Sequence, residues 1–144
     1  MPDAIDLVIV TPEKQLLREK TVEVQMPGEN GYLGILPGHA PLMTELGIGE
    51  LSYHDTSSKE SAHIAIIRGF AEVLSDRVTI LAETAERAEE IDLQRAKDAL
   101  ARAEKRLAAN DPNIDWDRAN IALQRALIRI QVAAKRRSAL VSGS

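Results

Sequence analysis

A chain of 144 residues, of which 44% are hydrophobic and 28% charged, is long enough for one compact domain with an appendage, and its composition excludes wholesale disorder. The absence of cysteine excludes disulfides and thiolate metal sites. The net charge of -4 hides an asymmetry, because residues 1–87 have seven basic and fourteen acidic residues, whereas residues 88–144 have eleven basic and eight acidic. The basic end predicts contact with an anionic partner.

Export and membrane-spanning signals are both missing from the sequence. No segment approaches the roughly 18 to 20 apolar residues that span a bilayer. The start, Met1-Pro2-Asp3-Ala4, lacks the basic and apolar regions of a signal peptide. We therefore expect a soluble protein that is not exported and that acts by binding partners.

Short β-prone runs separated by turn residues dominate up to about residue 83. The runs that predict strands are residues 5–10, 21–26, 62–67 and 78–81. Glycine and proline mark the corners, and the polar stretch from Asp55 to Glu60 predicts a hairpin turn. Aromatic residues make up only 3%, so we expect an aliphatic core. This pattern predicts a β-sandwich over residues 1–84.

A helical pattern begins at about Ala85 and defines a second region, residues 85–144. Helix-forming residues dominate, and neither glycine nor proline interrupts them until Pro112, in the break at residues 110–113. At 100° per residue each helix carries an apolar seam. The seam residues are Ala96, Leu100, Ala103 and Leu107, then Trp116, Ala119, Leu123, Leu127, Ile130 and Ala134. Two such helices predict an antiparallel hairpin, so the fold class is α+β.

The second helix has another apolar strip, which a hairpin does not require. It consists of Ile121, Ile128 and Val132, beside Arg118, Arg125 and Arg129. The strip either lies against the sandwich, is merely exposed, or binds a second partner. The residues after Arg118 include no acidic side chain, which favours an anionic surface as that partner.

No catalytic or metal-binding pattern is present. The three histidines, His39, His54 and His63, lack ligand spacing, and there is no Gly-x-Ser-x-Gly elbow, so we expect neither a metal site nor catalytic residues. The run Gly31-Tyr32-Leu33-Gly34 superficially matches the GxxG loop of KH domains, but it precedes a strand-like run in acidic surroundings. Because the chain is acidic overall and its basic helix amphipathic, nucleic acid is not an expected partner.

Several arginines share helical faces. Arg95, Arg102 and Arg106 lie on one face of the first helix, and Arg125 and Arg129 lie one turn apart on the second. Guanidinium groups that face one volume repel each other unless an anion, such as a triphosphate or partner carboxylates, lies between them. Spacing alone favours a solvated basic face over an anion site.

The most specific motif is the run from Gly31 to Pro41, Gly-Tyr-Leu-Gly-Ile-Leu-Pro-Gly-His-Ala-Pro, followed by Gly47 and Gly49. Supporting motifs are Thr11-Pro12-Glu13, Gly69-Phe70-Ala71-Glu72-Val73 and Ile91-Asp92-x-x-Arg95-Ala96. In these motifs, over nearly the whole chain, the sequence resembles the epsilon subunit of bacterial F-type ATP synthases. Arg68 departs from the family, which often has a second glycine before Gly69.

The resemblance implies a ten-stranded β-sandwich followed by a two-helix hairpin, in a non-catalytic subunit of the central stalk, or rotor. The sandwich is then expected to bind the gamma subunit and the ring of c subunits, at the cytoplasmic face of the bacterial inner membrane. The residues expected to face the ring are Gly31, Tyr32, Leu33, Gly34, Pro37, Gly38 and His39.

In this family the hairpin either folds on the sandwich or extends into the catalytic head of alpha and beta subunits, where it inhibits ATP hydrolysis. The residues that the resemblance places against the beta subunit are Arg118, Arg125, Arg129, Lys135, Arg136 and Arg137.

Some members of the family bind ATP in the folded state, as a regulatory ligand rather than a required cofactor. The residues that correspond to that site here are Glu86, Ile91, Asp92, Arg95, Ala96, Arg125 and Arg129, with Arg102 as an addition. A free-standing ATP-binding sensor is the alternative function.

Overall fold

The computed structural model of the chain describes residues 2–56 and 60–136. Its strands are β1 (Ile5–Val10), β2 (Gln15–Gly28), β3 (Gly31–Ile35), β4 (Leu42–Asp55), β5 (Ser61–Val73) and β6 (Arg77–Arg87). A 3-10 turn at Ala88–Glu90 leads into helix α1 (Leu93–Ala108), and helix α2 (Trp116–Ala133) follows. Part of the predicted turn at residues 55–60 and Arg137 lie outside the described residues.

The predicted class, a β-sandwich followed by a two-helix hairpin, is confirmed. The described part of the chain has six strands instead of the ten that the resemblance implies. The difference arises because β2 and β4, with 14 residues each, continue through register breaks where shorter strands would end.

The strand order is β1-β6-β5-β4-β2-β3, and β1 also pairs with β2. All pairings are antiparallel except that of β1 with β6. The strands therefore enclose an aliphatic core, as expected from the low aromatic content. Its largest fully buried side chains include Ile5, Leu7, Ile9, Met26, Leu51, Ile64, Ile66 and Ile80.

The predicted run at residues 5–10 coincides with β1, and the other three predicted runs lie inside β2, β5 and β6. The sequence pattern misses β3 and β4, whose glycines suggest corners. Gly49 lies within β4. A side chain at this position would collide with the neighbouring strand β2, because a Cβ there would lie 2.5 Å from Pro27 Cβ. The close approach of β2 therefore requires glycine at position 49, and this glycine does not end β4.

The backbone conformation at Arg68 and Gly69 of β5 explains why the family often has glycine at both positions and why arginine is possible at the first. Both residues have positive φ, 56° and 153°. A Cβ at Gly69 would lie 2.1 Å from the Leu81 carbonyl oxygen, so this position tolerates only glycine. Arg68 has no such constraint and accepts the left-handed conformation at a cost of about 1–2 kcal/mol.

The helical region begins later than the pattern predicts, because β6 continues to Arg87. Each helix starts at an aspartate cap: Asp92 accepts a hydrogen bond from the Arg95 backbone N–H, and Asp115 accepts one from that of Arg118, both at 3.1 Å. Such caps satisfy backbone donors that the first helical turn leaves free.

The contact between α1 and α2 is made of small residues. Ala96 and Ala103 are the buried residues of α1, and Ala119 and Ala126 are buried on α2. The predicted seam is wrong for three residues, since Trp116 is 53% and Leu127 48% exposed and Ala134, just after α2, is exposed as well. Alanines let the helix backbones approach closely, which leaves the bulkier side chains of α2 at the edge of the contact.

Helix α2 also packs on the sandwich. We call this contact the docking cluster: Ile128, Val132 and Ala133 of α2 with Ala65, Ile67, Ala88 and Ile91, flanked by Ile48 and Leu93. Of the alternatives for the second apolar strip, contact with the sandwich therefore holds for Ile128 and Val132. Ile121 is half-buried.

Candidate functional site

The attachment of the hairpin combines apolar burial with two ion pairs. Val132 is fully buried and Ile128 is 8% exposed. Burying such side chains stabilises docking by about 1.5–3 kcal/mol each, before the entropic cost of ordering the hairpin. Arg129 Nε lies 2.7 Å from Glu86 Oε1 on β6, and Lys135 Nζ lies 2.8 Å from Glu50 Oε2 on β4. The attachment therefore consists of one small apolar cluster and two ion pairs.

Three of the residues expected to bind ATP have structural roles. Ile91 belongs to the docking cluster, Asp92 caps α1, and Ala96 is buried in the contact between the helices. A fourth and a fifth, Glu86 and Arg129, pair with each other. The Ile-Asp-x-x-Arg-Ala motif therefore sets the start of the hairpin.

The remaining arginines have no comparable role. Arg95, Arg102 and Arg125 are exposed, and within the described residues none forms an ion pair. With the alanine contact between antiparallel helices, the 100° periodicity directs these three side chains and Arg129 to one flank of the hairpin. Ile128 and Val132 meet the sandwich on the same flank. We call these four residues the arginine row.

An apolar patch lies on the outer face of β4, β5 and β6, away from the hairpin. Phe70 is cross-strand partner of both Glu45 and Leu81, and Met43 lies two residues before Glu45. Met43, Phe70 and Leu81 are 68%, 51% and 54% exposed. Phe70 and Leu81 also line a groove of about 680 Å³. Neighbouring large apolar side chains in water mark an interaction surface.

Carboxylates border the same groove. Glu29, Glu45 and Glu83 line it. A hydrogen bond with Glu29, together with the negative charge of Glu29, raises the pKa of the Glu45 carboxyl. The two carboxylates repel each other, and a cation placed between them would relieve the repulsion. Arg68 also lines the groove, so charges of both signs border its apolar residues.

The segment expected to face the ring is divided in two. Residues 31–35 form β3, and a loop follows to Pro41, where Gly38, with φ 88°, donates its N–H to the Ser75 carbonyl oxygen at 2.7 Å. His39 Nδ1 lies 2.7 Å from the Ala40 carbonyl oxygen. A Cβ on Gly34 would meet no atom within 4 Å in the described structure. Packing within the chain therefore does not require glycine there, whereas close approach of a partner would.

Sequence reasoning missed the apolar patch and the partner of Lys135. The Gly-Phe-Ala-Glu-Val motif contains Phe70 but gives no sign that its ring faces water. No sequence signal connects Glu50 with Lys135, because 85 positions separate them. Arg118 and Arg136, expected to contact the beta subunit, are exposed, and the Arg136 Nε–H donates to the Ala133 carbonyl oxygen of its own helix.

In the described part of the chain, no three histidine, aspartate or glutamate side chains come together in a way that could hold a metal ion. Neither of the described helices combines the length and apolar character that crossing a membrane requires.

Comparison with known proteins agrees with this architecture. Residues 4–88 match the β-sandwich domain of the ATP synthase delta/epsilon chain, and residues 89–134 match its long α-helix domain. The chain is similar to the ATP synthase epsilon chain of Koribacter versatilis, with 56% identity over 112 residues, 78% of each protein. It is 48% identical to that of Solibacter usitatus over 136 residues, 94% of this chain and 100% of that one.

A solved structure shows the same fold. A chain in the cryo-EM structure of the Euglena gracilis mitochondrial ATP synthase, OSCP/F1/c-ring, superposes with a TM-score of 0.79 at 24% identity, covering 93% of this chain and 83% of that one. With both domains matched in order, and with full-length relatives at about half identity, this chain belongs to the ATP synthase delta/epsilon family, among the epsilon chains.

Proposed function

We propose that the chain is a non-catalytic rotor subunit of an F-type ATP synthase, bound peripherally at the cytoplasmic face of the bacterial inner membrane. Its sandwich links the gamma subunit to the ring of c subunits, and its hairpin inhibits ATP hydrolysis. The observation that carries the proposal is the attachment of the hairpin. The sandwich encloses its own core, and α2 is fastened on its outside by one small cluster and two ion pairs.

The apolar patch supports the gamma contact. Met43, Phe70 and Leu81 lie on the face that the hairpin does not cover, so gamma can remain bound whether the hairpin is docked or released. The loop at residues 36–41 supports the ring contact, since Leu36 is 58% exposed and lies where the chain turns back on itself. Tight turns and small side chains there favour close approach.

The side chains that the hairpin would expose on leaving the sandwich support the proposed inhibition. On leaving the sandwich, Arg129 and Lys135 lose Glu86 and Glu50, and Ile128 and Val132 become exposed. Acidic segments of the beta subunit and apolar surfaces of the alpha and beta subunits would replace those partners, with Arg118, Arg125 and Arg136 already exposed. Two states of similar free energy behave as a switch when a partner favours one of them.

Removal of residues 88–144 tests the inhibitory role. We expect the truncated subunit to bind gamma with unchanged affinity, because the apolar patch is outside the deletion, and we expect hydrolysis by the assembled enzyme to rise several-fold. Steady-state phosphate release is the measurement, with the full-length subunit as the reference. Unchanged hydrolysis would remove the inhibitory role from this chain.

A second candidate function is ATP sensing, and the arginine row favours it. Exposed guanidinium groups on one flank of the hairpin suit a triphosphate, and ATP bound there would stabilise the docked state by linkage. ATP would also be the ligand if the chain were a free-standing sensor, a function that requires no partner subunit of the synthase.

Calorimetry on the isolated chain tests ATP sensing. We expect Arg95→Ala and Arg125→Ala each to weaken ATP binding about ten-fold, as the loss of a charge-assisted hydrogen bond would. Lys97→Ala is the matched control, because Lys97 is exposed on the opposite side of α1. No ATP binding at millimolar concentration, or equal losses in all three variants, would reject the site.

A further inference from the structure

The carboxylate of Glu50 receives donors from two other elements of the fold. Its Oε2 lies 2.8 Å from Lys135 Nζ, just beyond the end of α2, and 3.2 Å from His63 Nδ1 on β5. The Lys135 ammonium group donates to this oxygen, and His63 Nδ1 donates to it in the tautomer that has its proton on Nδ1. The Glu50 side chain is 11% exposed, that of His63 20% and that of Lys135 43%. The cluster thus lies at the margin of the docked hairpin.

The backbone of Glu50 is fixed independently of the hairpin. Its N–H donates to the Tyr32 hydroxyl at 3.0 Å, at a place where the register between β2 and β4 is interrupted. The preceding residue, Gly49, leaves room for that hydroxyl, because a Cβ there would lie 2.9 Å from it. Tyr32 is therefore a positioning residue that presents Glu50 to the hairpin.

The interactions of the Glu50 carboxylate favour docking only in part. Glu50 Oε1 is buried and has no hydrogen-bond partner in the described structure. Loss of water from that oxygen opposes docking and offsets part of the attraction between Glu50 and Lys135. A contact of this kind fixes the position of the C-terminal end of α2, and breaking it costs little free energy.

We propose that Glu50, His63 and Lys135 form a latch that holds the C-terminal end of α2 on the sandwich, separate from the arginine row. The inference rests on the proposed two positions of the hairpin, but it concerns the docked state alone and requires no nucleotide. The latch acts at the end of α2, whereas the pair of Arg129 with Glu86 acts about two helical turns earlier along the interface.

The full chain is suited to a distance measurement, because it contains no native cysteine. Spin labels at Gln15→Cys on β2 and Gln124→Cys on α2, both exposed positions, report the docked and released populations. We expect Lys135→Met and Glu50→Gln each to raise the ratio of released to docked hairpin about three- to ten-fold, the range of a partly exposed ion pair. The double variant should match the single ones, and high salt should move the wild-type chain toward them.

Arg136→Met is the matched control, since Arg136 is the next residue and its hydrogen bonds in the described structure go only to the Ala133 carbonyl oxygen. We expect the control to leave the ratio unchanged. Unchanged distances in both latch variants, or an equal shift in the control, would overturn the latch. If Glu50→Gln fails to fold, Lys135→Met decides alone. A shift in distance in Glu50→Gln with unchanged hydrolysis by the assembled enzyme would uphold the latch and refute inhibition, because Glu50 is not among the residues expected to contact the beta subunit.

Discussion

Val132→Asp should release the hairpin and leave the sandwich folded. Val132 is fully buried in the docking cluster, so the change removes an apolar contact and places a charge among buried aliphatic side chains. A charge placed in such apolar surroundings costs several kcal/mol, which opposes docking. We expect the ratio of released to docked hairpin to rise more than about 100-fold. NMR methyl shifts of Ala65 and Ile67, which line the other side of the contact, should move to those of an uncovered strand.

Leu127→Asp is the control for this change. Leu127 lies on the same helix and is 48% exposed, so the same charge there meets water. The methyl shifts of Ala65 and Ile67 should stay as in the wild-type chain, and thermal unfolding of the sandwich should persist in both variants because its core is separate. Unmoved shifts in Val132→Asp would show that α2 is not held by this cluster.

The second large effect is expected at the apolar patch. Phe70→Glu places a charge between Leu81 and Glu45, its two cross-strand partners. If the patch binds gamma, the variant loses an aromatic anchor and gains repulsion from Glu45, and affinity should fall about 100-fold or more. Titration calorimetry with purified gamma subunit measures the loss. Because Phe70 is 51% exposed, the fold itself should tolerate the change.

Val22→Glu is the matched control, an exposed apolar residue on β2 that does not line the groove. It should bind gamma as the wild-type chain does. Equal binding by Phe70→Glu and the wild-type chain would place the gamma contact elsewhere on the sandwich.

Prediction of structure from the sequence works best where a segment has a single hydrophobic periodicity. Residues of β1 alternate between buried and half-buried, and the predicted run matches the strand residue for residue. Helix α2 is harder, because it has apolar side chains on two sides. Periodicity locates both but does not decide which residues meet α1. The choice depends on how closely two backbones approach, and the small Ala119 and Ala126 allow it where Trp116 and Leu127 do not.

The candidate sites divide in the same way. The arginines of each helix follow from helical spacing, whereas the common flank of the arginine row depends on the alanine contact between α1 and α2. Neither the pair of Arg129 with Glu86 nor that of Lys135 with Glu50 could be predicted, because each joins α2 or its end to a distant strand. The apolar patch was equally hidden, since exposure of Phe70 depends on which layer of the sandwich remains uncovered.

The exposure of Trp116 has an optical consequence. It is the single tryptophan of the chain and lies in the first turn of α2, at the end of the hairpin farthest from the latch. In the docked chain its indole is half in water, so its fluorescence emission is that of a solvated ring. Entry of the hairpin tip into an apolar cavity would shift the emission to shorter wavelength. The unmodified chain therefore carries an intrinsic reporter of where its arm lies.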